Sequence, residues 1–287
     1  MPISASDVKK LRDATGAGMM DCKNALEEAG GDFEKATTIL RTKGLASAAK
    51  KAGRDASQGL IGCWMSDDHA TGILADVRCE TDFAANTDDF KRLISDALEL
   101  IKQAGDNATP EWLADPAGPV HTRVAETIGK VGENMLVPRF VRYSGKGYVA
   151  QYIHLGGKIG VQVEFSGVTP AMLGNAEFAA LAKEVAMQIA AANPSYAARG
   201  DVPADVLEKE KSIYRAQMEQ SGKPANVIDK IVEGKLGSFY SQFVLPDQPS
   251  IRDPKMTVAQ LLAASGKTLG GTLTITRFAR LMVGETV

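Results

Sequence analysis

The chain has 287 residues, of which 44% are hydrophobic and 24% are charged, and its formal net charge is -2. These values are typical of a globular protein with one large or two smaller domains. The net negative charge argues against direct binding of nucleic acid, because such binders usually carry a basic excess. The N-terminus lacks an apolar signal segment, and no run approaches about 18 apolar residues. We therefore expect a cytoplasmic protein with no membrane contact.

No catalytic or metal-binding arrangement stands out. The three cysteines, Cys22, Cys63 and Cys79, are far apart and form no CxxC pair, and the three histidines are scattered. The segment 265–268 (SGKT) ends like a phosphate-binding loop, but Leu261 occupies the position of the first glycine and a helix precedes it. These absences favour a binding protein without a cofactor over an enzyme.

Residues 4–44 have the pattern of three short helices. The first ends at Gly16, and the second covers residues 20–29. The third starts at Asp32 as its N-cap and ends before Gly44. A unit of this size has a small core and is marginally stable alone.

Two adjacent methionines, Met19 and Met20, follow the flexible stretch 16–18 (GAG). Adjacent residues of a helix cannot both face one core. Either one methionine lies outside as an adaptable contact for a partner, or both are loosely packed residues at a helix start.

After a small, basic stretch at 46–54, which reads as a helical tail or a linker, a strand-strand-helix pattern occurs twice. The first copy includes a helix capped by Thr87, and the second includes an apolar helix at 178–192. The predicted strands are 60–65, 72–79, 135–143, 148–154, 159–165 and 273–282. The repetition indicates an internal duplication.

The second copy contains an insertion. Two helix patterns, 205–220 and 227–239, are separated at Gly222-Lys223-Pro224, and proline suits a helix start. The first arm is charged, with few apolar residues, so we predict a helical hairpin that projects into solvent. A short helix at 257–264 follows.

The predicted fold class is therefore α+β. We expect a three-helix module, a core of two related α+β subdomains, and an inserted coiled-coil helical hairpin. The predicted divisions are 1–45 for the module, 46–58 for a linker, 59–144 and 145–287 for the subdomains, and about 203–243 for the hairpin.

The stretch 79–86 (CETDFAAN) places Asp82 and Phe83 in a short polar turn between a predicted strand and a predicted helix. Phe83 either packs back into the core of its own chain or is available to the core of a partner. The sequence pattern alone does not decide between the two.

Four segments carry a family pattern: LRDATGAGMMDCKNALEEAGGDFEKA (11–36), CETDFAAN (79–86), YIHLGGKIGV (152–161) and SGKPANVIDKIVEGKL (221–236). Together they resemble the bacterial elongation factor Ts family, and they occur in the family's order over nearly the whole chain. The resemblance implies an N-terminal module similar to ubiquitin-associated domains. It also implies a guanine nucleotide exchange factor for elongation factor Tu, the GTPase that delivers aminoacyl-tRNA.

In this family an Asp-Phe pair inserts near the Mg²⁺ and phosphate site of the GTPase, and other residues grip the same partner. The resemblance assigns partner contacts to Leu11, Arg12, Met19, Met20, Thr81, Asp82, Phe83 and His154. One departure is Ala84-Ala85, where the family commonly has Val and often a basic residue, which gives the pair a less bulky footing. No cofactor is implied, since the magnesium and nucleotide belong to the partner.

The alternative is an adaptor of the ubiquitin-associated type without exchange activity, which would leave the two-part core unexplained. The sequence leaves the oligomeric state open, and both a homodimer and a 2:2 complex with the GTPase are compatible with it.

Overall fold

A computed structural model describes residues 3–145, 147–219 and 224–286, and its mixture of helices and small antiparallel sheets confirms the α+β class. The helices are α1 (Ala5–Thr15), α2 (Met19–Glu28), α3 (Phe33–Lys51), α4 (Asp82–Ala85), α5 (Asp88–Ala104), α6 (Pro110–Ala114), α7 (Pro119–Val131), α8 (Ala176–Ala192), α9 (Ala204–Glu219), α10 (Ala225–Phe243) and α11 (Val258–Leu269). The strands are β1 (Gln58–Met65), β2 (Thr71–Cys79), β3 (Met135–Ser144), β4 (Tyr148–His154), β5 (Ile159–Ser166) and β6 (Thr274–Met282).

Within the described ranges the strands form two antiparallel sheets of three strands each. Sheet A has the order β1-β2-β3, and sheet B has the order β4-β5-β6. In both, the first two strands follow each other directly and the third returns after a helical segment. The two halves therefore share one connectivity, as the repeated sequence pattern predicted.

The sheets pack face to face, and helices cover their outer faces. Ile61 and Leu74 of sheet A and Leu281 of sheet B form a small apolar cluster between the sheets. The opposite face of sheet A packs on α5 and α7, and that of sheet B packs on α8 and α11. The central strand of each sheet is thus covered on both faces, and β2 and β5 are buried along nearly their whole length, including the polar residues Asp76, Gln162 and Glu164.

A buried carboxylate joins the two sheets. Asp76 of β2 is fully enclosed and accepts hydrogen bonds from Arg78 (2.7 Å) and Arg139 (3.1 Å). The same two arginines donate to the end of β6 and to the chain just after it, at the carbonyl oxygens of Met282 (2.9 Å) and Glu285 (2.7 Å). The charge on Asp76 therefore holds two guanidinium groups that reach the end of the other sheet.

Local signals explain the elements that the sequence predicted well. The Thr87 side chain accepts from the Phe90 amide at the start of α5, as expected of an N-cap. Phe90, Leu93 and Ile101 then form the buried face at helical spacing. Asp32 caps α3 in the same way through the amide of Lys35.

The predicted end of the third helix before Gly44 is wrong. α3 continues to Lys51, so the division predicted between residues 45 and 46 falls inside a helix, and half of the predicted linker is helical. Gly44 is buried where α3 crosses α7, and a Cβ placed there would lie 3.4 Å from the Ala125 carbonyl oxygen. This glycine permits close helix packing, whereas the sequence pattern suggested a helix end.

The sequence pattern predicts no element between the helix that Thr87 caps and the strand at 135. The structure has α6 and α7 there, each with a proline at its first position. Val120, Val124 and Ile128 of α7 join the core of sheet A.

In the predicted hairpin, α9 and α10 pack against each other, and Pro224 precedes α10 as its N-cap. Gly222 and Lys223 lie outside the described residues. The predicted 257–264 helix extends to Leu269, so the SGKT stretch lies inside α11. Among the helices of the described ranges, none is both long and apolar enough to cross a membrane.

Replacing Asp76 by asparagine should destabilise the fold, because Arg78 and Arg139 would lose a buried counter-charge. We expect Asp76→Asn to lower the free energy of unfolding by ~3–5 kcal/mol in urea denaturation. Asp106→Asn is the matched control, since that carboxylate is 93% exposed although it accepts from Arg142 at 2.7 Å. Equal, negligible effects of the two substitutions would contradict a role for Asp76 in joining the sheets.

Candidate functional site

The chain leaves sheet A into a short turn that presents an aromatic side chain. Thr81 caps α4 by accepting from the Ala84 amide (3.2 Å), and the first two residues of that helix are Asp82 and Phe83. Phe83 is 82% exposed, whereas Ala84 and Ala85 are buried in the core of sheet A. The sequence left open whether Phe83 packs into the core of its own chain or stays outside it. In the structure its side chain lies in solvent. We call residues 81–85 the phenylalanine turn.

Two carboxylates fix this turn. Glu133 accepts from both the Thr81 amide (3.0 Å) and the Thr81 hydroxyl (2.7 Å). Glu80 accepts from the Asn134 amide (2.6 Å), and the Asn134 side chain donates to the Arg54 carbonyl oxygen (2.8 Å). We call Glu80 and Glu133 the carboxylate clamp. The partners of these two carboxylates are backbone amides and a capping hydroxyl. The carboxylate clamp therefore holds the main chain that carries Phe83.

A buried thiol lies at the base of the same turn. The Cys79 thiol donates to the Thr81 carbonyl oxygen at 3.0 Å. Burial, with a smaller contribution from the Glu133 carboxylate, raises the pKa of Cys79 to about 11. The thiol is therefore protonated near neutral pH and packs as a small apolar group with a weak donor.

The second exposed segment is the methionine turn, residues 16–20. Met19 is 45% exposed and Met20 is 64% exposed at the start of α2. The Lys130 side chain, in the last turn of α7, lies directly over Gly16, where a Cβ would stand 2.5 Å from its Nζ atom. Lys130 is three residues before Glu133 in the sequence, so the methionine turn and the phenylalanine turn both contact the region where α7 ends.

The third segment is the histidine turn, residues 154–158. His154 is exposed at the end of β4, and its Nδ1 shares a hydrogen bond of 3.0 Å with the Tyr152 hydroxyl. Lys158 donates to the Gly59 carbonyl oxygen (3.0 Å) and to Gln58 (3.3 Å) at the start of β1. Gln58 pairs with Cys79 across β1 and β2. The histidine turn therefore lies beside the base of the phenylalanine turn.

Six of the residues that the resemblance assigned to partner binding lie on these three turns: Met19, Met20, Thr81, Asp82, Phe83 and His154. Leu11 is an exception, because its side chain is fully buried in the core of the three-helix module with Val8 and Leu26. It cannot contact a partner in this conformation, and its role is to pack the module. Arg12 is exposed and lies 3.6 Å from Asp13.

Sequence reasoning missed the residues that position these side chains. Thr81 and Glu133 are 52 residues apart, and nothing in a polar stretch such as 132–134 (GEN) distinguishes a clamp from an ordinary turn. Lys130 and Lys158 also look like common surface lysines. Their function depends on tertiary contacts that leave no local pattern.

Among the described residues, no group of three or more His, Cys, Asp or Glu side chains could hold a metal ion. A cavity of about 640 Å³ lies between α3, α6, α7 and β3, and aliphatic side chains such as Leu113 and Val124 form most of its lining. The three turns themselves present Met19, Met20 and Phe83 as exposed apolar side chains.

Comparison with known proteins identifies the family. A family model described as elongation factor Ts matches residues 80–285. Elongation factor Ts of Trichlorobacter lovleyi is 44% identical, over 99% of this chain and 94% of that protein. Elongation factor Ts of Aquifex aeolicus is 43% identical, over 99% of both chains, and that of Halothermothrix orenii is 42% identical, over 99% of this chain and 93% of that protein. The chain therefore belongs to the elongation factor Ts family of translation elongation factors.

Proposed function

We propose that the chain is a guanine nucleotide exchange factor for elongation factor Tu and acts in the cytoplasm. It binds the GDP-bound GTPase, disturbs its Mg²⁺ and phosphate site, and promotes GDP release so that GTP can bind. The observation that carries this proposal is Phe83, an aromatic side chain exposed on a rigidly held turn in a member of this family. The chain performs no covalent step, and the nucleotide and metal belong to the GTPase.

Exchange of this kind is a linkage effect. A bound protein lowers the affinity for GDP only if it prefers a GTPase conformation that holds GDP less well. Reciprocity then requires that GDP weakens the binding of the exchange factor by the same factor. GTP rebinding releases the exchange factor for the same reason, so the cycle needs no catalytic residue on this chain.

The size of the effect exceeds what one side chain can provide. Each tenfold loss of nucleotide affinity requires about 1.4 kcal/mol of opposing interaction. Burying a phenylalanine side chain contributes roughly 1.5–3 kcal/mol, which corresponds to about one or two powers of ten. Contacts from the methionine turn and the histidine turn are therefore needed beside Phe83.

The rigidity of the phenylalanine turn has a direct consequence for binding. Ordering a flexible segment on association costs free energy that reduces the affinity. The carboxylate clamp and the Thr81 cap order this turn before the partner arrives. The burial energy of Phe83 is then available to distort the partner.

Release of a fluorescent GDP from preloaded elongation factor Tu tests the proposal. Catalytic amounts of this protein should accelerate release at least tenfold. An adaptor of the ubiquitin-associated type would bind other proteins and leave the release rate at its spontaneous value.

Phe83→Ala should slow GDP release by roughly 10–100-fold, because it removes the burial energy of one aromatic side chain. Its melting temperature should remain that of the wild type, since Phe83 is 82% exposed. Phe90→Ala is the opposite control, because Phe90 is fully buried and its loss should cost about 3–5 kcal/mol of stability. If Phe83→Ala lowers the melting temperature but leaves the GDP release rate per folded molecule normal, Phe83 belongs to the core.

Glu133→Ala should slow exchange without removing a partner contact. Thr81 would lose the acceptor of two hydrogen bonds, which should lower the free energy of unfolding by about 1–3 kcal/mol and loosen the phenylalanine turn. Release rates for Glu133→Ala, Phe83→Ala and the double variant separate the two roles. If Glu133 acts through Phe83, its substitution has little further effect once Phe83 is absent, whereas additive losses would indicate an independent contact.

Replacing both exposed methionines by serine should weaken the complex about tenfold by titration calorimetry, because their apolar contact area is lost. The module should still fold, since its core contains Leu11 and Leu26 and lacks both methionines. Lys35→Ser, a solvent-exposed change on α3, controls for altered surface polarity. An unchanged affinity of the methionine variant would exclude the methionine turn from the interface.

A further inference from the structure

Leu155, next to His154, combines two unusual properties. Its side chain is 65% exposed, and its backbone has a φ of +50°, in the left-handed region. Gly156 and Gly157 follow with φ values of +61° and +100°. Glycine and asparagine adopt this region readily, whereas the Cβ and branched side chain of leucine make it unfavourable. A leucine is therefore held in a strained position without contributing its side chain to a core.

The surrounding contacts hold the histidine turn in this conformation. The Lys158 amide donates to the Leu155 carbonyl oxygen (3.3 Å), and the Val283 amide donates to the Lys158 carbonyl oxygen (3.0 Å). Gly157 packs against Leu60 of β1. Backbone strain that the neighbouring structure maintains in this way is characteristic of functional sites.

The position of the strained leucine relates it to Phe83. The Lys158 side chain binds the start of β1 at Gln58 and Gly59, and Gln58 pairs with Cys79. Cys79 in turn donates to Thr81, the cap of α4. Two exposed apolar side chains thus lie on two fixed turns that meet at one end of β1.

The geometry points to Leu155 as a further apolar contact for the GTPase, on the surface that also presents Phe83. The inference rests on the proposed function and adds a specific binding residue to it. The complementary part of the partner is an apolar recess beside the one that receives Phe83. Continuity with the phenylalanine turn favours this occupant over a second copy of the chain.

Leu155→Asn tests the inference, because a structural role and a binding role predict opposite results. Asparagine is favoured in the left-handed region, so the melting temperature should stay the same or rise. Affinity for nucleotide-free elongation factor Tu, measured by titration calorimetry, should fall about tenfold. Leu155→Met should retain most of the affinity, because it keeps an apolar side chain of similar volume.

Leu173→Asn is the matched control. That leucine is 53% exposed, but it lies in the loop after the other end of β5, and its substitution should leave affinity unchanged. Wild-type affinity for Leu155→Asn would overturn the inference, and so would a lowered melting temperature. Sedimentation of the free proteins tests the alternative that a second copy of the chain contacts Leu155. A wild-type dimer that Leu155→Asn dissociates would also overturn the inference.

These failures are distinct from failure of the proposed function. If the wild-type protein does not accelerate GDP release, the proposed exchange activity is wrong, and Leu155 as a contact for that GTPase falls with it. If the wild-type protein does so and Leu155→Asn binds equally well, only the assignment of Leu155 is wrong.

Discussion

The bonds between the carboxylate clamp and the backbone determine where Phe83 stands. A helix of four residues such as α4 has no stability of its own, because nucleation of a single turn is unfavourable. Glu133 and Glu80 replace that missing local stability with tertiary bonds from the end of β2 to the loop after α7. An aromatic side chain can then be both exposed and fixed, a combination that a free loop would not give.

The same principle applies to the two neighbouring turns. Over the methionine turn lies a lysine side chain from α7. In the histidine turn, a lysine of the turn itself reaches the main chain of β1. Lys130 lies over Gly16, and Lys158 binds the carbonyl oxygen of Gly59. The Lys158 bond restrains the backbone where the histidine turn meets β1. Under the proposed function, three such turns can supply several contributions of the size of one buried side chain.

The sequence predicted what local patterns encode. Alternation and apolar runs identified the strands, and Thr87 and Asp32 were recognisable as caps because capping depends on residues three positions apart. The helix end predicted at Gly44 is wrong, because in sequence a glycine that permits close helix packing looks the same as one that ends a helix. Leu11 illustrates a related point, because a matching motif does not distinguish a side chain that touches a partner from one that, like Leu11, is fully buried in the free chain. Glu133 could not be found, because its partner Thr81 is 52 residues away.

The distance between the phenylalanine turn and the histidine turn depends on the buried network at Asp76. The first turn follows β2 of sheet A and the second follows β4 of sheet B, so the packing of the two sheets sets their separation. Arg78 and Arg139 bind Asp76 and the chain after β6 together, which restrains one sheet against the other. Ala84 and Ala85 attach the phenylalanine turn to sheet A, because their small buried side chains let α4 lie close to that sheet and move as one body with it. The core therefore sets the spacing between Phe83 and His154, and under the proposed function the GTPase meets this spacing as fixed.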